Sequence, residues 1–220
     1  MVYRRSENAV RRLSARHDAI VAAARRAASE GGMGEVRIAP IAARAGIAAG
    51  TVYRYFLGKS DLVGALIAIE CEHEIAAMRS AAARAPGPLS ALAAVIVTFA
   101  ARALRHRRLA FALLAEPSDA DIERRRRDYR AALTSEIERC IDAAVAAGHL
   151  PAQDAGLAAR ALVGGVIESL VGPLAPERIE EPAVARAAVH AVALLALRGL
   201  GIADARARGL VLQTAWPQDD

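Results

Sequence analysis

The chain of 220 residues has two cysteines, one tryptophan and a single lysine, and aromatic residues make up only 4% of it. Cys71 and Cys140 form no CxxC pair, so neither a disulfide framework nor a zinc-binding pattern is indicated. The longest apolar run, residues 89–101, is shorter than the roughly 18 residues that a membrane span needs. The charged N-terminus is followed by no apolar core, which argues against a secretory signal. We therefore expect a cytoplasmic protein without a bound metal or other cofactor.

Positive charge is concentrated in the first quarter of the chain. Residues 1–62 carry eleven basic and five acidic side chains, whereas the remaining 158 residues carry eighteen basic and nineteen acidic ones. A small cationic domain joined to a nearly neutral one indicates contact with a polyanion through one end only. Every cation except Lys59 is an arginine, whose planar guanidinium suits phosphate oxygens.

Glycine and proline divide the chain into segments rich in alanine, leucine and arginine, which are strong helix formers. Alternating apolar patterns typical of strands are scarce. We expect an all-α fold with helices at residues 15–30, 39–45, 49–56, 60–85, 89–105, 109–115, 119–147, 155–174 and 183–200. The expected domains are residues 1–62, with a flexible arm at 1–14, residues 63–200, and a fraying tail at 201–220.

Two short predicted helices on either side of Gly46 follow a longer one, which is the arrangement of a helix-turn-helix. Gly46 supplies the residue tolerant of positive φ that the turn needs. The residues predicted to form the small core of this motif are Ile41, Ala42, Ala45, Ile47 and Val52. Those left to face outward are Ala48, Ala49, Gly50, Thr51, Tyr53 and Tyr55.

The sequence IAARAGIAAGTVYRYF at residues 41–56, followed by Lys59 and Leu62, resembles the DNA-binding signature of the tetracycline-repressor (TetR) family of bacterial transcription regulators. The order and lengths of the surrounding predicted helices match that family along nearly the whole chain. The resemblance implies an N-terminal three-helix DNA-binding domain and a C-terminal helical domain for effector binding and dimerisation. It further implies a homodimer that places the second short helix in the major groove of a double-stranded DNA operator.

The DNA-binding residues that the resemblance implies are Arg37, Arg44, Ala48, Ala49, Gly50, Thr51, Tyr53, Arg54, Tyr55 and Lys59. In the family, Thr51, Tyr53 and Tyr55 take positions that contact phosphates and the groove rim, and Lys59 takes that of a phosphate-binding lysine. The chain departs from the family where Ala48 replaces a capping Ser or Thr and Ala49 replaces a polar residue. Neither alanine can hydrogen-bond a base edge. Base readout then depends on Arg37, Arg44, Thr51 or the arginine-rich extension before residue 17, which is either a DNA-contacting arm or a solvated terminus.

The resemblance also implies a small, mostly hydrophobic effector and release of a repressor from DNA. The candidate ligand-binding residues are His73, Met78, Phe99, Arg102, Phe111, Tyr129 and Glu168, although each also fits an ordinary core or surface role. Arg102 and Glu168 are charges within apolar stretches, and we expect them to pair with each other or with the effector. The candidate dimer-interface residues are Gly164, Gly165, Ile167, Ala188, Val192 and Leu195. The same pattern fits a helix pair buried within one subunit.

Two other function classes compete with a regulator. A non-specific, nucleoid-associated protein would use the basic domain but has no need of 158 neutral residues. An enzyme is the weaker rival, because the five histidines show no metal-ligand spacing and no Gly-rich phosphate loop or G-x-S-x-G motif occurs. The arginine run at residues 124–127 is flanked by acidic residues, and we expect it to form a solvated face with local ion pairs.

Overall fold

The computed structural model describes residues 2–176, 179 and 181–217, so residue 1 of the predicted arm and residues 218–220 of the predicted tail lie outside it. Over the described residues the chain is all-α and contains no strand, as predicted. Its helices are α1 (Val2–Gly31), α2 (Ile38–Arg44), α3 (Ala49–Val52), α4 (Lys59–Ala83), α5 (Pro88–Arg105), α6 (Arg107–Leu114), α7 (Ala120–Ala146), α8 (Ala155–Leu170), α9 (Pro182–Gly199) and α10 (Asp204–Gln213).

The termini are more helical than expected. α1 begins at Val2 rather than near residue 15, since residues 2–14 contain no glycine or proline to interrupt it. The predicted flexible arm is therefore a helical extension. α10 occupies the segment expected to fray, because Ala207 and Val211 lie one turn apart and are buried where α10 packs on α9 and α5.

α5 is the central helix of the core. It packs against α4, α7, α8, α9 and α10, and most of its side chains are buried. By length and composition both α5 and α9 are apolar enough to span a membrane, but two thirds of the 18 residues of α5 are buried inside the protein. Packing therefore explains the apolar character of α5. Only 22% of the 18 residues of α9 are buried, so this helix presents an apolar face outward.

The arginine run on α7 is not wholly solvated, which corrects the prediction for one residue. Arg126 is 2% exposed and donates hydrogen bonds to Ala112 O at 2.6 Å, to Glu123 Oε1 at 2.6 Å and to Glu116 O. Arg130 donates to Leu114 O. The two guanidinium groups thus satisfy carbonyls at the C-terminal end of α6 that have no partner within that helix.

Candidate DNA-binding surface and ligand cleft

The turn between α2 and α3 has the geometry that the helix-turn-helix prediction requires. Gly46 has φ of 67°, in the left-handed region. The Gly46 amide donates to Ala43 O at 3.1 Å, and the Ile47 amide donates to Ala42 O at 3.0 Å. These two bonds form a Schellman motif, in which a left-handed glycine satisfies the last carbonyls of a helix and reverses the chain direction.

Apolar contacts hold α2 against α1 and α3. Ile41, Ala42 and Val52 are buried, and Ile47 is half-buried against the same core, as the sequence predicted. After Val52 the backbone continues in turns rather than as the α-helix expected to residue 56. α3 therefore has one regular turn, and its N-cap residue Ala48 provides no side-chain hydrogen bond.

The ten predicted DNA-binding residues share one region but differ in exposure. Arg37, Arg44, Ala48, Gly50, Tyr53, Arg54 and Lys59 are exposed, whereas Ala49, Thr51 and Tyr55 are half-buried. The Tyr55 side chain packs against the hydrophobic core, so it faces outward less than predicted. The Tyr53 side chain is 55% exposed beside α3.

The cations of this surface fall into paired and unpaired sets. Arg44 lies 2.6 Å from Glu30, and their hydrogen bond lowers the pKa of Glu30 and raises that of Arg44. Arg37 lies 3.6 Å from Glu35. Within the described part of the chain, Arg54 and Lys59 form no ion pair, and Lys59 is the first residue of α4. The positive end of the α4 dipole adds to the Lys59 charge, which makes this corner a favourable place for a phosphate.

Two side chains near α6 fix the end of α1. The Arg108 guanidinium donates to Gly31 O at 3.0 Å, and the Glu116 carboxylate accepts from the Met33 amide at 3.0 Å. Gly32 between them has φ of 80°, and a Cβ there would lie 2.7 Å from Glu116 Oε2. Hydrogen bonds from the C-terminal domain therefore hold the connection between α1 and α2 in place.

The predicted ligand-binding residues do not converge on one cavity. Phe99, Arg102 and Tyr129 line a void of about 40 Å³, which has room for about one water molecule. Met78 is buried in the core and lines neither this void nor the larger cleft described next. Phe111 is half-buried and lines neither of them.

Of the two alternatives expected for Arg102 and Glu168, pairing with each other is wrong. Arg102 Nε lies 2.9 Å from Glu74 Oε2, whereas Glu168 is exposed on α8 and lines neither cavity. The sequence marked Arg102 as a charge within an apolar stretch but could not identify its partner, since Glu74 is on a different helix.

The large cavity is an open cleft of about 1640 Å³, here called the ligand cleft. It is bounded by α1, α4, α5 and the C-terminal residues 210–217, and of the predicted ligand residues it includes His73 and Arg102. The sequence reasoning missed the rest of its lining. The available signal was the series of alanines on one side of α4 at residues 76, 77 and 81, which leave space where larger side chains would fill it.

The predicted dimer residues divide into outward-facing and inward-facing positions. Gly164, Gly165 and Leu195 are exposed, and the Leu195 side chain is 69% exposed. Ala188 and Val192 are half-buried against the core of the same subunit. Ile167 is buried within that core, so it cannot contribute to an intersubunit surface unless the helix moves.

The described residues contain no group of three or more His, Cys, Asp or Glu side chains that could hold a metal ion. Cys71 and Cys140 are free thiols, and burial raises the pKa of each. A raised pKa keeps a thiol protonated and unreactive at neutral pH.

Comparison with known proteins matches the helix-turn-helix region. The model of the bacterial regulatory proteins of the tetR family matches residues 20–66, from the middle of α1 to the start of α4. No curated protein sequence matches the chain.

Solved structures of regulators share the fold over most of the chain. RolR in complex with resorcinol is 19% identical, with a TM-score of 0.65, covering 95% of this chain and 98% of that chain. A tetR-family regulatory protein from Rhodococcus RHA1 is 24% identical, with a TM-score of 0.65 and coverage of 86% and 98%. FadR from Bacillus subtilis, in complex with stearoyl-CoA, is 19% identical, with a TM-score of 0.66 and coverage of 79% and 96%. Residues 20–66 thus fit the model of the bacterial regulatory proteins of the tetR family, and most of the chain shares the fold of these solved structures.

Proposed function

We propose that the protein is a cytoplasmic repressor that binds its operator as a homodimer and is released by a small, mostly hydrophobic effector. The observation that supports the DNA-binding part is the helix-turn-helix built on Gly46, with Arg54 and Lys59 exposed beside it and without a carboxylate partner among the residues that the structure describes. Residues 1–62 form the DNA-binding unit, and residues 63–200 form the effector-binding and dimerisation unit.

In this proposal α3 enters the major groove. The small residues Ala48 and Gly50 are exposed at its start and allow the backbone to approach the bases closely. The Thr51 and Tyr53 hydroxyls and the Lys59 ammonium contact phosphates, which position the protein without reading sequence. Because Arg44 is held by Glu30, Arg37 is the better placed of the two arginines for base readout.

The helical extension of α1 adds a second contact to DNA. Arg11 and Arg16 are exposed on it and precede the helix-turn-helix core. Removal of residues 1–12 should weaken DNA binding and reduce its salt dependence. If both quantities stay at wild-type values, the extension has no role in binding.

The outward faces of α8 and α9 form the dimer interface in this proposal. Leu157, Val184 and Leu195 are large apolar side chains that are 48–69% exposed on these two helices. Gly164 and Gly165 lie on the exposed side of α8 and allow close approach of a second backbone. A Leu195→Glu change should produce monomers in sedimentation, whereas Leu212→Glu on α10, also exposed, should leave the dimer intact. Dissociation by both changes or by neither would contradict this interface.

Effector binding acts on the spacing of the two recognition helices. A dimer that reads successive major grooves needs them about 34–36 Å apart, so a shift of a few ångströms is sufficient for release. The neighbouring structures show that this fold accommodates ligands as different as resorcinol in RolR and stearoyl-CoA in FadR.

The test is titration of the protein with random DNA and with a duplex selected from a random pool, at one fixed salt concentration. A regulator should prefer the selected duplex by about 10³-fold or more. Equal affinity for the two duplexes would refute the proposal and favour a non-specific nucleic-acid-binding protein.

A further inference from the structure

Tyr129 on α7 places a phenol in the core of the C-terminal domain. It is 6% exposed and lines the void of about 40 Å³ described above, here called the inner void. Among the residues that the structure describes, the Tyr129 hydroxyl makes no hydrogen bond. Because a buried hydroxyl is costly without a partner, the inner void favours a group that accepts a hydrogen bond from it.

The surroundings of Tyr129 keep its phenol in the protonated form. Burial raises the pKa of Tyr129 well above its ordinary value, and the carboxylate of Glu74 raises it further. The opposing effect of Arg102 is smaller. The phenol is therefore a hydrogen-bond donor at neutral pH.

The inner void adjoins the ligand cleft. Four residues, Arg25, Glu70, Arg102 and His106, line both cavities, so the two lie on either side of the same side chains. The inner void has room for one small polar group, whereas the cleft of about 1640 Å³ has room for a whole ligand.

The charges of this shared wall are matched. Arg25 Nε lies 2.8 Å from Glu70 Oε1, and Arg102 Nε lies 2.9 Å from Glu74 Oε2. An anionic ligand would have to displace a carboxylate, and a cationic ligand an arginine. Either exchange leaves a partly buried charge without its partner, which is unfavourable.

The other two arginines of the cleft also have partners. Arg105 donates to Pro217 O at 2.7 Å, and Arg84 donates to the Ser80 hydroxyl at 2.5 Å. The remaining carboxylate of the lining, Asp18, is exposed at its α1 border. The cleft therefore favours an uncharged ligand.

Uncharged polar and apolar side chains alternate around the cleft. Ser90 and Gln213 contribute a hydroxyl and an amide, while Ile69, Leu210 and Trp216 contribute apolar surface. Such a mixed lining suits a molecule that has an apolar carbon framework and a few hydroxyl or carbonyl groups.

We propose that the ligand cleft and the inner void form one site for a small uncharged molecule that carries a hydroxyl group. The apolar body of the ligand lies in the cleft, and its hydroxyl oxygen enters the inner void and accepts a hydrogen bond from Tyr129. The proposal rests on the ligand-responsive function proposed above and names the class of effector and its anchor. Because Arg25 of the shared wall belongs to α1, such a ligand reaches the helix on which the helix-turn-helix packs.

The experiment is equilibrium dialysis of the full-length protein at neutral pH against four naphthalene probes. They are the uncharged β-naphthol and β-methylnaphthalene, the anion β-naphthoate and the cation β-naphthylmethylammonium. β-Naphthol should bind about tenfold or more tightly than either ion, because an ion has to displace a matched charge. The affinity of β-naphthol relative to β-methylnaphthalene, here called the hydroxyl ratio, is then compared between variants, which cancels the different hydration of the two probes.

Tyr129→Phe removes only the proposed donor. It should lower the hydroxyl ratio by about threefold to tenfold and leave β-methylnaphthalene binding unchanged. The urea midpoint of unfolding should not fall, since the hydroxyl makes no hydrogen bond with the described part of the chain. Thr134→Val is the matched control, because it removes a hydroxyl of the same helix that donates to Arg130 O at 2.8 Å and lines neither cavity. It should leave the hydroxyl ratio at the wild-type value.

A second variant tests the inner void with Tyr129 in place. Ala110 lines the inner void but not the cleft, so Ala110→Val should occupy part of this space. The hydroxyl ratio should fall as it does in Tyr129→Phe, while circular dichroism confirms that the variant is folded.

The proposal is overturned if β-naphthol does not bind, if either ion binds as tightly, or if Tyr129→Phe keeps the wild-type hydroxyl ratio. DNA binding without any probe is measured on the same samples. Preference for the selected duplex together with failed probe binding refutes only the ligand class, whereas loss of that preference refutes the regulator itself.

Discussion

Replacement of Lys59 by alanine tests whether the N-terminus of α4 binds a phosphate. The Lys59 side chain is exposed and makes no ion pair in the described part of the chain, so the change breaks no internal contact. In a dimer it removes two phosphate contacts, which should make the slope of log affinity against log salt shallower by about 1.8. When the salt concentration rises approximately fourfold, the factor by which the affinity falls should therefore be about twelve times smaller for the variant than for the wild type. Random and selected duplexes should be affected alike, because phosphates carry no sequence information.

The assay is fluorescence anisotropy of a labelled duplex over a series of salt concentrations. Arg44→Ala should change the slope less than Lys59→Ala, because the Arg44 guanidinium already has Glu30 at 2.6 Å. Arg124→Ala on α7 removes the same formal charge far along the chain, from a residue paired with Asp121, and should leave the slope unchanged. An unchanged slope for Lys59→Ala would show that Lys59 contacts no phosphate, and an equal change for Arg124→Ala would show that net charge and not this contact governs binding.

Three further changes test the fold that supports the site. Gly46→Ala should lower the free energy of unfolding, measured in urea, by about 1–2 kcal/mol, because residue 46 has a positive φ. Gly50→Ala should not lower it, because a Cβ at residue 50 meets open space and its φ is not positive. Equal losses in the two variants would contradict this cause. Arg126→Met should lower the free energy of unfolding by about 2–4 kcal/mol, since it leaves the carbonyl oxygens of Ala112 and Glu116 without their hydrogen bonds, and a loss below about 1 kcal/mol would refute the role of Arg126. Burial acts to raise the pKa of Glu136, but hydrogen bonds from two arginines outweigh it and hold that pKa below 4.5. The ionised form of Glu136 therefore stabilises the fold above pH 4.5. The difference in unfolding free energy between the wild type and Glu136→Gln should shrink as the pH falls below that value. A difference that stays constant with pH would contradict a lowered pKa of Glu136.

Features that depend on a few neighbouring residues could be predicted from the sequence. Gly46 and Gly148 both end helices in the left-handed region, and in each case the glycine follows a clear helical pattern. Ile41 and Val52 are buried because their spacing places them on one side of two short helices. Local sequence encodes such positions directly, since a turn and its flanking helices share the same short segment.

Features that depend on contacts between distant segments were not predictable in the same way. Arg126 resembles its three arginine neighbours in sequence, and only the position of the α6 carbonyls makes it a buried cap. The lining of the ligand cleft combines α1 with residues 210–217, which are almost two hundred residues apart. Periodicity places a residue on a face of its own helix but does not say which helix covers that face.

α1 connects the two proposed sites through continuous packing. Its buried residues Ile20 and Ala24 belong to the core on which the helix-turn-helix rests, while Asp18 and Arg25 line the ligand cleft. At its C-terminal end Gly31 is held by a side chain of α6. Close-packed cores transmit displacements because they contain little free volume, so a ligand that moves α1 in the cleft should also move α2, which packs on α1, and through it α3. The effector therefore needs no separate relay to the DNA surface, since the helix it contacts is already part of the DNA-binding domain.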